Sequence, residues 1–261
     1  MRLLLANANT TGAITDLCAG AARAAAAPGT EVVPATAAFG PAVIATRAEN
    51  AVASHAVLDL LAAHAGSVDA AVLAVSHDTA LEAARQLMPV PVVGMTEAAC
   101  LTACLLGARF GLVTFGGVEM YRELVARHGL AARLAALEGV DATPPQALAD
   151  PDGVAGMVGG AIGRLVAAGA DAVVLGGAAL AGLEGRLRAA SPVPLCEGIA
   201  CAVRLAEALV RMAPPRPRAG STAMPPGRAS VGLSPALAAL LGAARGNRPG
   251  GPTLPGRTEG D

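Results

Sequence analysis

Short runs of apolar residues alternate along the chain with polar turns and with alanine-rich stretches of helical period. Leu3-Leu4-Leu5-Ala6 reads as a buried strand, and Asn7-Ala8-Asn9-Thr10-Thr11-Gly12 as the loop opening a helix that runs to about residue 27 and ends at Pro28-Gly29. A second, edge-proximal strand follows over 31–34. A Gly/Pro loop over 39–44 is long enough to cover a pocket, and a helix spans 47–64. Strand 69–75, helix 79–87, strand 91–94 and helix 96–106 complete a first series. A second series begins with strand 109–115 and helix 118–128. It continues through a polar, proline-bearing connection over 144–151, a glycine-weakened helix over 153–168, strand 171–175, helix 180–189, strand 193–196 and helix 199–212. The two series are one unit written twice: Val68-Asp69-Ala70-Ala71-Val72-Leu73-Ala74-Val75 recurs as Ala170-Asp171-Ala172-Val173-Val174-Leu175-Gly176-Gly177. A repeat of roughly 100 residues is a duplicated domain rather than a solenoid, so function is sought in the cleft between two halves, at the ends of the repeated strands.

Composition agrees with strands buried on both faces. Hydrophobic residues make 54% of the chain and charged residues 15%, and with aromatics at 2% the core has to be built from Ala, Val and Leu. A net charge of -1 without a basic cluster argues against nucleic acid. The apolar start is too short for a signal-peptide core, and later apolar stretches are interrupted by Arg109, Arg164 or Asp171, which predicts a cytoplasmic protein with no membrane span. Five cysteines (Cys18, Cys100, Cys104, Cys196 and Cys201) suit a reducing compartment and read as buried thiols. From residue 213 onward the chain turns rich in Pro, Arg and Gly, which predicts a largely disordered tail over 213–261 with one short helix over 233–245.

Five motifs carry a family resemblance: Asn7-Ala8-Asn9-Thr10-Thr11; Asp78 with Leu81-Glu82-Ala83-Ala84-Arg85; Gly94-Met95-Thr96-Glu97-Ala98-Ala99; Val174-Leu175-Gly176-Gly177-Ala178; and Glu197-Gly198-Ile199-Ala200. In their order and spacing, from about Arg2 to Met212, the chain resembles the aspartate/glutamate/hydantoin racemase superfamily, nearest its hydantoin and allantoin racemase branch. The resemblance implies an α/β fold of two Rossmann-like three-layer lobes, with parallel central sheets related by pseudo-twofold symmetry and a small substrate between them. The lobes are expected over 1–95, completed by the helix over 198–212, and over 96–197. It also implies cofactor-free racemisation or isomerisation beside a carbonyl by two cysteines, one from each lobe, on opposite faces of the reacting carbon. The positions of those cysteines match Val75 and Gly177 here, and neither residue carries a proton.

Replacement chemistry is sought in Ser76-His77-Asp78, just past a central strand. His77 is the candidate base because a free imidazole titrates near neutral pH. Asp78 either orients it or caps the next helix, and Ser76 offers a hydrogen-bond donor to substrate. Cys196 is a further acid/base candidate, or a buried thiol. Asn7, Asn9, Thr10 and Thr11 suit a small carboxylate or imide oxygen, with Thr114, Gly116, Gly117 and Val118 as their counterpart in the second lobe. Glu97 and Glu197 are candidates to hold a substrate N–H, or else cap helices. No nucleotide cradle or metal-ligand spacing is present in the sequence, so a site without cofactor or metal is expected. The partner is then a small molecule, with homo-oligomerisation left open. A divergent isomerase or lyase and a protein that only binds its ligand are both compatible with these residues.

Overall fold

The structure is a computed structural model that describes residues 1–181, 183–224 and 227–242. The first lobe is built from β1 (Arg2–Asn7), α1 (Gly12–Ala25), β2 (Glu31–Thr36), α2 (Arg47–His64), β3 (Ala70–Leu73), α3 (Leu81–Leu87) and β4 (Val92–Gly94), after which α4 (Met95–Leu106) crosses to the second lobe. The second lobe follows with β5 (Phe110–Phe115), α5 (Glu119–Arg127), β6 (Leu134–Val140), α6 (Pro144–Ala149), α7 (Pro151–Ala167), β7 (Ala172–Leu175), α8 (Glu184–Leu187) and β8 (Leu195–Glu197). Then α9 (Gly198–Met212) crosses back. Each crossing helix packs on the sheet of the other lobe, α4 on β7 and β8, and α9 on β3 and β4.

The two sheets have the same strand order, β2-β1-β3-β4 and β6-β5-β7-β8, and every pairing is parallel. Strand alternation divides the apolar residues between layers. Leu3 and Leu5 face a central core shared with α1, α4 and α9, whereas Leu4 and Ala6 face the outer helices of the first lobe. The central core continues through Phe110, Leu112 and Val174 of the second sheet, so one apolar mass ties both lobes together. Ala98, Ala99 and Ala103 of α4 and Ala202 and Ala206 of α9 are all buried in it. Small side chains let these crossing helices approach closely, and this replaces the missing aromatic bulk.

Strand register fixes which positions of the two lobes correspond. Leu73 lies opposite Gly94, and Leu175 opposite Glu197, so Glu197 is the counterpart of Gly94 rather than of Glu97. The same register places Val75 and Gly177 two residues past the equivalent Leu73 and Leu175.

Three segments differ from the sequence reading. Residues 134–140, to which no element was assigned, form the edge strand β6. Their Leu, Ala and Glu are good helix formers, and pairing with β5 overrides that preference. The proline-bearing connection contains α6, opened by a reciprocal capping box between Thr143 and Gln146. The helix expected over 180–189 reduces to a 3-10 turn over Ala178–Leu180 and the short α8.

The sequence favours disorder over most of the tail, yet the described parts lie along the first lobe. Arg216 donates to the carbonyls of Gln86 and Leu87, and α10 (Pro235–Gly242) packs on α2 with Leu237 buried. The helix expected over 233–245 corresponds to α10, and residues 243–261 lie outside the described residues.

Candidate active site

A cavity of about 530 Å³ opens between the lobes beyond the ends of the central strands, within the size range of small-ligand sites. The first lobe contributes Asn9, Thr11, the loop over 42–47, Val75, Ser76 and His77. The second contributes Thr114, Phe115, Gly116, Gly117, the first turn of α5, Pro145 and residues 177–179. Val75 and Gly177 therefore both face this space, and no cysteine is among the described residues that line it. The thiols lie elsewhere. Cys18 donates to the Ala178 carbonyl at 3.6 Å, and its pKa is pushed up to about 12 by burial and then by Glu197. Cys196 is buried and hydrogen-bonded to Cys201, a contact that together with burial raises its pKa.

His77 is 7% exposed, and its ring centroid lies 4.7 Å from that of Tyr121. Its Nδ1 is buried without a hydrogen-bond partner among the described residues. Burial first, and the Arg127 charge second, lower its pKa to about 4, so the imidazole is neutral at pH 7. Ser76 bridges the lobes: its Oγ accepts from the Ala178 N–H at 3.1 Å. Tyr121, a pocket residue the sequence reading missed, is the chain's one tyrosine and is 4% exposed. Its hydroxyl donates to the Gly176 carbonyl at 3.0 Å, fixing the ring against His77. The chain's single tyrosine, four residues past the Gly116-Gly117 turn, was the signal available.

Other predicted site residues hold the frame, and Asp78, Glu97, Glu197, Asn7, Thr10 and Val118 do not line the cavity. Asp78 is 1% exposed and accepts from the N–H groups of Thr96 at 3.0 Å and Glu97 at 2.7 Å, capping α4. Burial raises its pKa, and its donors, the His128 imidazole foremost, oppose the rise. Glu197 caps α9 by accepting from Ile199 and Ala200, each at 2.8 Å. The side chain of Glu97 pairs with Arg85. Asn7 is fully buried and shapes the first turn, donating to Asn9 Oδ1 and to Thr15 Oγ1, both at 3.0 Å. The Thr10 N–H is taken by the Pro41 carbonyl at 3.0 Å, and the Thr11 hydroxyl by that of Ala42 at 2.7 Å, so both fasten the covering loop. Val118 is the N-cap residue of α5 and is not among the lining residues, whereas Gly116, with φ 65°, makes the turn that precedes the helix.

The electrostatics of the cavity come mainly from the backbone. Neither α1 nor α5 has a side-chain cap, and both open at the cavity, so their first N–H groups and positive dipole ends are directed there. The charged lining residues are Arg47, which pairs with Glu123 of α5, and Glu119. Among the described residues, no cluster of His, Cys, Asp or Glu is arranged to hold a metal ion, and no helix is long and apolar enough to cross a membrane.

Comparison with known proteins agrees with this geometry. The family described as Asp/Glu/Hydantoin racemase matches residues 3–206. A hydantoin racemase from Rhizobium meliloti is 30% identical over 214 residues, covering 80% of this chain and 89% of its own. The structure of an allantoin racemase from Klebsiella pneumoniae superposes with a TM-score of 0.85 at 33% identity, covering 91% of this chain and 98% of that one. An allantoin racemase from Pseudomonas fluorescens gives 0.84 at 31% identity, covering 89% and 100%. With two matching parallel-sheet lobes, a cavity between them and these relatives, the chain belongs to the Asp/Glu/hydantoin racemase family.

Proposed function

We propose that the protein moves a proton at a carbon beside a carbonyl in a small carboxylate, hydantoin or ureido compound, without a cofactor and with His77 as its one base. The observation that carries this reading is the neutral imidazole on the cavity wall, with a buried nitrogen that finds no hydrogen-bond partner among the described residues. In the step proposed, the C–H bond breaks as an N–H bond forms on His77, and the electron pair moves onto the carbonyl oxygen. The uncapped starts of α1 and α5 are suited to stabilise that oxyanion. Burial keeps the lone pair of His77 free at neutral pH but also weakens it as a base. Pairing of the new imidazolium with the enolate offsets that loss inside a cavity of low dielectric. Hydantoin and allantoin, named in the relatives, are ureido compounds that carry such a C–H.

A base on one face only implies that the proton leaves and returns on the same side. The expected result in D2O is exchange of that proton in 5-substituted hydantoins or allantoin, followed by proton NMR, with configuration retained. His77→Gln should slow it by about 100-fold or more. Unchanged exchange in that variant would remove His77 from the role. A second reading, a protein that binds without turnover, is favoured by Val75 and Gly177, which leave both thiol positions inert. Calorimetric binding of the same compounds with no exchange would select it.

A further inference from the structure

Directly behind His77 lies a cluster of charges contributed by both lobes. His128 ends α5 in the second lobe, and its side chain is 5% exposed. Its Nε2 is 3.2 Å from Asp78 Oδ2 in the first lobe, and its Nδ1 is 3.6 Å from Glu97 Oε1 at the start of α4. Arg85 of α3 pairs with Glu97 on the far side. Arg127 reaches the same segment, donating to the His77 carbonyl at 3.5 Å and pairing with Glu82 at 3.4 Å. The Cys100 thiol also faces Asp78; burial raises its pKa, and the Asp78 charge adds to the rise.

The Asp78 carboxylate accepts from the N–H groups of Thr96 and Glu97, and His128 Nε2 lies within hydrogen-bonding distance of its Oδ2. The two backbone N–H donors favour the ionised carboxylate and oppose the burial that raises its pKa. The backbone at this point is strained. Asp78 has φ 48° and Ala80 φ 59°, left-handed values in residues that carry a Cβ. Each costs on the order of 1 kcal/mol or more and persists only where the surroundings fix it.

We infer that His128 is a positioning residue: by gripping Asp78 across the lobe boundary it fixes the strained turn over 76–80 and sets the His77 ring against Tyr121 at the cavity wall. Its consequence for turnover rests on the reading of His77 as the base. Its structural content does not.

The test is an NMR titration of the His77 ring in the full chain. In the wild type the His77 midpoint is expected at about 4, lowered by burial and by the Arg127 charge. In His128→Ala the turn loosens and the ring gains solvent, so the midpoint should rise by about one unit or more toward the ordinary value near 6.5. In His128→Gln, which keeps a donor for Asp78, it should stay near that of the wild type. A folded His128→Ala protein whose His77 midpoint has not moved would overturn the inference, as would a Gln variant displaced as far as Ala. If the Ala variant does not fold, His128→Asn, polar but shorter, is read the same way. Failure of the base assignment shows up separately, as proton exchange that survives His77→Gln.

Discussion

Equivalent N–H groups are capped in both lobes, but by carboxylates that arrive from different places. At the start of α9, Glu197 at the end of β8 turns back onto Ile199 and Ala200. At the start of α4 the equivalent residue is Gly94, and Asp78 from the neighbouring strand end reaches Thr96 and Glu97 instead. The glycine makes this possible, because a Cβ on Gly94 would lie 2.5 Å from the Asp78 carboxylate carbon. In the second lobe the cap is local, and the turn after β7, residues 177–180, carries Gly, Ala, Ala and Leu. In the first lobe the cap is long-range and clamps the turn that bears His77. The duplication thus reproduces sheets, crossings and open helix starts, while the base proposed here sits on one short turn that is not duplicated.

Replacing each capping carboxylate by its amide should separate the two. Asp78→Asn turns an amide NH2 toward buried donors and breaks the contact with His128, at a cost of about 3–5 kcal/mol. Glu197→Gln weakens a local cap at about 1–2 kcal/mol. Urea unfolding measures both, and equal losses would mean that the two caps carry the same load.

The next effect is in pH. The folded pKa of His77, near 4, lies below the unfolded value of about 6.5, so the unfolded state takes up the proton first as pH falls. Its contribution to stability is complete above about pH 6.5 and is lost as pH drops toward 4, by about 3 kcal/mol. Chemical denaturation of wild type and His77→Gln at several pH values isolates this, because the remaining carboxylates cancel in the difference. A difference that does not vary with pH would leave no titrating asymmetry between the lobes.

The smallest contrast involves two glycines at the helix starts. Gly94→Ala drives a Cβ into Asp78 and should cost about 2 kcal/mol. A Cβ at Gly198 meets mainly the flexible end of Met95, at 2.6 Å, so Gly198→Ala should cost less than about 1 kcal/mol after the helical preference for Ala is included. Thermal melts of both variants decide the order, and a cheaper Gly94→Ala would contradict the clamp.

Much of the scaffold was legible because it rests on local pattern. The run Leu3-Leu4-Leu5-Ala6 and the paired Asp69 and Asp171 segments mark central strands wherever they pack, and α2 was delimited at Arg47 and His64 by its own period. The strand β6 was not legible, since Leu134-Ala135-Ala136-Leu137-Glu138 has helical composition and becomes a strand only beside β5. At the site, His77, Ser76, Asn9, Thr11, Thr114, Gly116 and Gly117 do line the cavity, because position after a parallel strand is itself a local fact. Glu97, Glu197, Asn7 and Asp78 were polar in the right places but are used up by backbone donors or neighbouring side chains.

What the sequence by itself determined is the duplicated α/β plan and the absence of a thiol at Val75 and Gly177, because side-chain identity and short-range periodicity need no partner to be read. Only the tertiary structure decided that Tyr121 backs His77 and that His128 grips Asp78. These groups come from different lobes, with His128 and Asp78 50 positions apart in the chain, and meet only when the shared apolar core draws the two sheets together.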